Sequence, residues 1–186
     1  KPPRLEPPPQ LAQGSMASAV CPQQECAVAC RLCPDVVEWC PVSGREDLLV
    51  YGLYEYDEAS GERRGALHLS RAGGGEGGGS SLSAMAELEM AGVYDVAWGP
   101  CSGEAAVPLA LAGADGALRL LTVGDGLTVV DQCQLLEGAI LTHVAWGAGA
   151  SDCLAAVGQD GSVHHVQARE GGQLTALARR AAHSME

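Results

Sequence analysis

The chain has 186 residues, with 23 acidic side chains against 11 basic ones and a formal net charge of −12. That balance disfavours non-specific contact with nucleic acid or an anionic membrane. No stretch approaches 18 apolar residues and no charged-apolar-small leader opens the chain, so neither a membrane span nor a secretory signal is visible and a soluble cytoplasmic protein is expected. Phe and Asn are absent and Ile140 is the sole Ile, which reads as codon bias and leaves Val carrying the β-branched load.

In chain order, residues 1–33 form a Pro- and Cys-rich leader without periodicity, expected to be disordered. From residue 34 one pattern recurs: Val37-Glu38-Trp39, Val96-Ala97-Trp98 and Val144-Ala145-Trp146. These hold all three Trp residues, 59 and 48 residues apart, close to the period of about 40–50 of propeller blades. The first copy, 34–91, predicts strands at 36–40, 47–54, 65–70 and 82–90. It has a polar excursion at 55–64 in place of a tight turn and a Gly-rich insertion at 72–81. Gly73, Gly75 and Gly78 match G-x-G-x-x-G formally, but no strand-to-helix context surrounds them, so the segment reads as a flexible insertion.

The second copy, 92–138, predicts strands at 93–98, 107–113, 117–123 and 128–136. The third, 139–178, repeats them at 140–146, 153–158, 162–168 and 173–178, followed by a frayed tail. Asp115-Gly116 and Asp160-Gly161 join the middle strands of these two copies, a tight-hairpin signal in which Gly accepts positive φ. The fold class is therefore all-β, a WD-repeat-type β-propeller. One repeat cannot bury its own apolar faces and has to stack on its neighbours. Propellers close with four to eight blades, and the chain opens at Lys1, so these three blades are expected to be the N-terminal part of a seven-bladed ring. Strand alternation sends Val96 and Trp98 to one face and Ala97 to the other. Each Trp is expected to be largely buried on the innermost strand of its sheet.

Chemistry is less legible. Cys21, Cys26, Cys30, Cys33 and Cys40 crowd together, and Cys30-x-x-Cys33 has knuckle spacing, yet no second pair or His completes a zinc set, so no metal is expected. No cofactor is expected either. Cys40, Cys101, Cys133 and Cys153 read as small buried residues. Gly99-Pro100-Cys101-Ser102-Gly103 has the outline of a nucleophile elbow, but a strand follows instead of a helix, so it reads as a loop. His164 and His165 point to opposite faces of one strand. Asp95 and His143 each stand three residues before a Trp, near one mouth of the expected channel, where they could form a base and its orienting partner. Glu38, between blades or facing a wet channel, is the third candidate.

The run Val36-Val37-Glu38-Trp39-Cys40-Pro41, followed by Leu48-Leu49-Val50-Tyr51-Gly52-Leu53-Tyr54, resembles the opening blade of the WD-repeat family of diphthamide biosynthesis, the diphthine methyl ester hydrolases, also named diphthine methyltransferases. A long polar insertion before a strand like 65–69, and an Asp before the next Trp (Asp95 and Trp98), extend the likeness over about residues 34–168. The Cys-rich leader and His143 have no counterpart in it. The resemblance implies hydrolysis of the methyl ester of methylated diphthine, a modified His on the translocating elongation factor, which is then the protein partner. It supplies no catalytic motif, so Asp95, His143 and Glu38 are candidates from position. The trimethylammonium of that substrate suits acidic and aromatic partners. The other reading is a non-catalytic scaffold for protein–protein interaction.

Overall fold

The structure, a computed structural model, describes residues 27–74, 80–101, 106–149, 152–169 and 171–182. Twelve strands and no helix occur among them. Blade 1 comprises β1 (Cys33–Trp39), β2 (Leu48–Asp57), β3 (Glu62–Gly74) and β4 (Ser80–Met90). Blade 2 comprises β5 (Val93–Trp98), β6 (Val107–Gly113), β7 (Ala117–Val123) and β8 (Leu127–Gln134). Blade 3 comprises β9 (Leu141–Trp146), β10 (Cys153–Gly158), β11 (Ser162–Ala168) and β12 (Leu174–Ala181). Each blade is a four-stranded antiparallel sheet in simple sequence order. β5 lies against both β1 and β9, so the first strands of all three blades line one axis, while β8 nears β4 and β12 at the rim. These are three blades of a WD-repeat-type β-propeller.

Stacking follows from alternation along β6. Leu109 and Leu111 join Leu48, Val50, Leu67, Leu69, Val93 and Val96 in a dry layer between blades 1 and 2. Ala110 and Ala112, on the other face, pack with Leu118, Leu141, Val144, Leu154, Ala156 and Val166 between blades 2 and 3. Each fully buried Leu contributes about 1.5–3 kcal/mol. At Gly52 of β2 a Cβ would lie 2.5 Å from Val93 Cγ1, so the residue that lets blade 2 approach has to be Gly.

The hairpins differ from the expected two-residue type. Gly116 donates to Gly113 O at 3.1 Å and Gly161 to Gly158 O at 3.0 Å, each Gly with φ 77°. The loops are thus three residues long, a turn closed by one left-handed Gly. The reason is the Asp. Asp115 Oδ1 accepts the Ala117 N–H at 3.2 Å and Asp160 Oδ1 the Ser162 N–H at 3.0 Å, each side chain folding back on the strand it precedes. In blade 1, Asp57 Oδ1 accepts the N–H groups of Ala59 (2.9 Å) and Ser60 (3.3 Å). An Arg closes each device: Arg64 on Asp57, Arg119 on Asp115, Arg179 on Asp160.

Blade 1 corrects the sequence in three places. The polar excursion at 55–64 is mostly ladder, with Glu55 opposite Arg64, Tyr56 opposite Arg63 and Asp57 opposite Glu62. The Gly-rich segment is entered by β3 through Gly74 and left by β4 from Ser80, while 75–79 lie outside the described residues. Trp39 is 51% exposed instead of buried, because among the described residues no blade lies against the face of blade 1 that carries it. Residues 1–26 of the leader also lie outside the described residues. Arg31, just before β1, is held by Glu87 (2.6 Å) and Glu89 (2.8 Å) of β4.

Every inner strand also carries a one-residue bulge, at Asp35, Tyr94 and Thr142, immediately before Val36, Asp95 and His143. A bulge re-aims the side chains that follow it. That offset sets where Asp95 and His143 point.

The Asp devices generate a pH-dependent stability. The Ala59 and Ser60 amides hold Asp57 below the usual carboxylate range, and the Ser162 hydroxyl does so for Asp160. Burial pushes Asp115 up, but the Arg119 hydrogen bond and charge outweigh it and the net direction is down. A carboxyl depressed in the folded state stabilises fully above its unfolded pKa and loses that contribution as pH falls through the folded value. Urea midpoints should therefore be flat from about pH 5 to 7 and decline below about pH 4. Asp115→Asn should cost roughly 1–3 kcal/mol and flatten the acid limb, whereas Asp57→Asn, at an exposed turn, should leave the urea midpoint nearly unchanged.

Candidate functional site

The inner strands enclose a concavity of about 450 Å³ on the axis, lined by Glu38, Trp39, Asp95, Trp98, Ala145 and Trp146 among others. Two of the three candidate residues, Glu38 and Asp95, share it. His143 does not line it. It pairs across strands with Val157, and both are exposed on the face of blade 3 that points away from blade 2. The two positions are equivalent in the repeat, so each faces the next blade in sequence, and Asp95 and His143 stand on opposite sides of β9.

Asp95 has a partner already. Its Oδ2 accepts the Val144 N–H at 2.9 Å, across the joint between blades 2 and 3. Trp146 Nε1 returns a bond to Ala97 O at 3.0 Å. At the rim, Asp131 Oδ2 accepts the Leu174 N–H at 2.7 Å. Two carboxylates and an indole thus stitch blade 3 to blade 2 by backbone groups that strand edges leave open. The joint between blades 1 and 2 is apolar by comparison, with Val36 in the place of Asp95. Trp98 Nε1, the counterpart of the bonded Trp146 Nε1, is buried and has no hydrogen-bond partner among the described residues.

A second cavity, about 660 Å³, opens between blades 2 and 3. Pro100, Leu120, Val130 and Gly172 form its apolar walls, Trp146 lies between it and the axis, and Asp152 and Arg169 stand at its polar side. Gln167 Nε2 donates to Asp152 Oδ2 at 2.7 Å and, with the Cys153 thiol, keeps that carboxyl below its usual range. This cleft has no counterpart among the motifs of the sequence. Its one local signal was Gly171-Gly172, both at positive φ (86° and 85°), which turns the β11–β12 loop beside Val130.

Asp160, Ser162 and His164 superficially suggest a hydrolytic triad. Ser162 Oγ lies against Asp160 Oδ1 and 2.8 Å from His164 Nε2. Asp160 is held ionised by the Ser162 hydroxyl and Arg179, so it only accepts, and the Ser162 hydroxyl must donate to it. His164 then donates to Ser162 and cannot take its proton. Burial and the Arg179 charge lower the pKa of this histidine. The trio is a structural strut at a turn. His165 is exposed, on the opposite face from buried His164.

Among the described residues no three His, Cys, Asp or Glu side chains come together to hold a metal. Cys21 and Cys26 lie outside the described residues, and Cys30 and Cys33 are exposed. Cys40 is buried in the layer between blades 1 and 2, where desolvation pushes its thiol up and away from reactivity. Of the elbow-like run, Gly99, Pro100 and Cys101 follow β5 in a loop, and Ser102 and Gly103 lie outside the described residues.

No protein-family model and no curated protein matches the sequence. Among solved structures, the chain is similar to Sqt1 of Chaetomium thermophilum, solved bound to the N-terminus of the ribosomal protein L10. The TM-score is 0.55 at 20% identity, over 81% of this chain and 37% of that one. At that identity the likeness concerns the fold alone. The chain spans little more than a third of the length of the structure it matches.

The stitching is testable directly. Asp95→Ala should speed hydrogen exchange at the Val144 amide and lower stability by about 1–2 kcal/mol, while Asp95→Asn, which keeps an acceptor oxygen, should retain most of the protection. Unchanged exchange at Val144 in the Ala variant would show that the bond is not held in solution.

Proposed function

We propose that this chain works as a protein-interaction module that takes a segment of a basic protein into the cleft between blades 2 and 3. The observation that carries the reading is the cleft itself: about 660 Å³ of mostly apolar wall beside Trp146, in a chain of net charge −12. Apolar side chains of a partner would fill the walls, and the surrounding negative field would draw in and orient its Lys and Arg residues. That a structure of this fold holds the N-terminus of a ribosomal protein supports protein segments as the ligand class.

The test is calorimetric titration with two synthetic peptides of equal length, one alternating Leu and Arg, the other alternating Leu and Glu. The Leu/Arg peptide should bind at least tenfold more tightly. Val130→Arg, at a partly exposed cleft wall, should abolish that preference without unfolding the chain. Equal affinity for both peptides, or binding indifferent to Val130→Arg, would remove the cleft from the interaction.

The finer reading is that the protein partner is the translocating elongation factor and the reaction is methyl ester hydrolysis on its methylated diphthine. Its support is the resemblance over 36–54 and the meeting of Glu38 and Asp95 in one concavity walled by Trp39, Trp98 and Trp146. Carboxylates among indoles suit a trimethylammonium group. On this reading Glu38 and Asp95 orient the substrate, His143 belongs to a neighbouring blade surface, and the protein is cytoplasmic. Methanol release from the modified factor should fall by roughly 10²-fold or more in Glu38→Gln if that carboxylate acts in the chemistry. Undiminished release in Glu38→Gln would exclude the role, and no release from the wild-type protein would leave the interaction module as the whole function.

A further inference from the structure

Of the three middle hairpins, only β2–β3 outgrows its sheet. Pairing of β1 with β2 stops at Cys33 opposite Tyr54, and pairing of β4 with β3 stops at Met90 opposite Gly65. The ladder between β2 and β3 runs on past both, through Glu55 with Arg64, Tyr56 with Arg63 and Asp57 with Glu62. Residues 55–64 are therefore a two-stranded ribbon with neither outer edge paired to a strand of the blade. A ribbon of this size is only marginally stable by itself, so its backbone opens at low cost.

The ribbon carries Tyr56. The chain has four Tyr residues, and Tyr56, 48% exposed, is the accessible one. Tyr51 is buried and stacked on His68, with ring centroids 4.8 Å apart. Tyr54 and Tyr94 pack on each other at 4.8 Å and are joined by a side-chain hydrogen bond. Glu55, Asp57 and Glu58 flank Tyr56 in the chain. Alternation sends Glu55, Asp57, Glu62 and Arg64 to one face of the ribbon, where Arg64 pairs with Asp57 and Glu62. Tyr56 and Arg63 share the other face. The Arg63 guanidinium carbon stands 5.3 Å from the centroid of the Tyr56 ring, and its Nε is buried with no hydrogen-bond partner among the described residues.

We propose that Tyr56 is a phosphorylation site for a tyrosine kinase that selects acidic sequences, and that Arg63 receives the phosphate. The extended strand with an open edge lets the kinase pair with the main chain around Tyr56, and the acidic flanks meet a basic kinase surface. The Tyr56 hydroxyl oxygen bonds to the γ-phosphorus of ATP, the bond from that phosphorus to the bridging oxygen breaks, and ADP leaves with the electron pair. The phenolic proton passes to the kinase's own base. The product carries a charge of about −1.5 to −2 and strong acceptor oxygens. Arg63, directly across the ladder, turns from the ring face to those oxygens and exchanges a cation–π contact for charge-assisted hydrogen bonds. The modification thus adds negative charge at the ribbon and ties its two strands together.

The test uses the chain of residues 1–186, ATP and a purified tyrosine kinase chosen because it modifies a synthetic peptide of residues 52–60. The folded chain should gain one phosphoryl group, and peptide mass mapping should place it on Tyr56. Tyr56→Phe should gain none while keeping the circular dichroism of the wild type. Phosphorylation should slow amide hydrogen exchange over residues 55–64 by roughly tenfold. Arg63→Gln should abolish that slowing while Tyr56 is still modified. Phosphate on Tyr51, Tyr54 or Tyr94 of the folded chain, or no phosphate at all, overturns the site. Slowing that persists in Arg63→Gln overturns the part assigned to Arg63.

Discussion

The burial of β6 on both faces, Leu109 and Leu111 toward blade 1 and Ala110 and Ala112 toward blade 3, is the constraint from which the rest of the molecule follows. A strand covered on both sides must be apolar throughout, and it needs a sheet on each side to cover it. Leucines fill the apolar layer toward blade 1, where Arg45 Nη1 also donates to the Val123 carbonyl at 3.3 Å. Toward blade 3, Ala110 and Ala112 lie in the layer beside which Asp95 and Trp146 reach backbone groups of the neighbouring blade. Both joints combine buried apolar area with hydrogen bonds to the backbone, and the second joint has more of them.

Much of the architecture was legible because alternation and turns are local. The three Val-x-Trp stretches are inner strands, and the second and third strands of blades 2 and 3 begin and end where the sequence placed them. The turn type was not legible, since Asp-Gly serves equally in a two-residue loop and in the longer loop that an Asp side chain closes on its own strand. Nor was the length of the β2–β3 hairpin: Glu55, Arg63 and Arg64 look like loop residues, yet an exposed ladder tolerates charge on its outward faces. Trp39 was misjudged for a different reason. Its sequence context matches Trp98 and Trp146, but burial of this residue depends on a neighbour outside its own sheet.

The candidate site was half legible. Placement on inner strands brought Glu38 and Asp95 to the axis. Equivalence in the repeat separated Asp95 from His143, because equivalent residues on successive blades face the same way around the ring and so never face each other. A base and its orienting partner would have to come from different positions of the repeat. The cleft beside Trp146 was not legible because its walls come from residues scattered through blades 2 and 3, and because what makes a cleft is the gap between sheets rather than any residue.

The simple strand order within each blade has a consequence for how the chain acquires its structure. No blade borrows a strand from another, so each sheet is complete within one contiguous segment. Its pairings span short sequence distances, and the slow closure of long loops is avoided. Each blade can therefore form as it leaves the ribosome, with the next one arriving to cover its apolar face. Assembly of this kind is directional: blade 1 templates blade 2, and blade 2, once covered on its second side, becomes the last part to open.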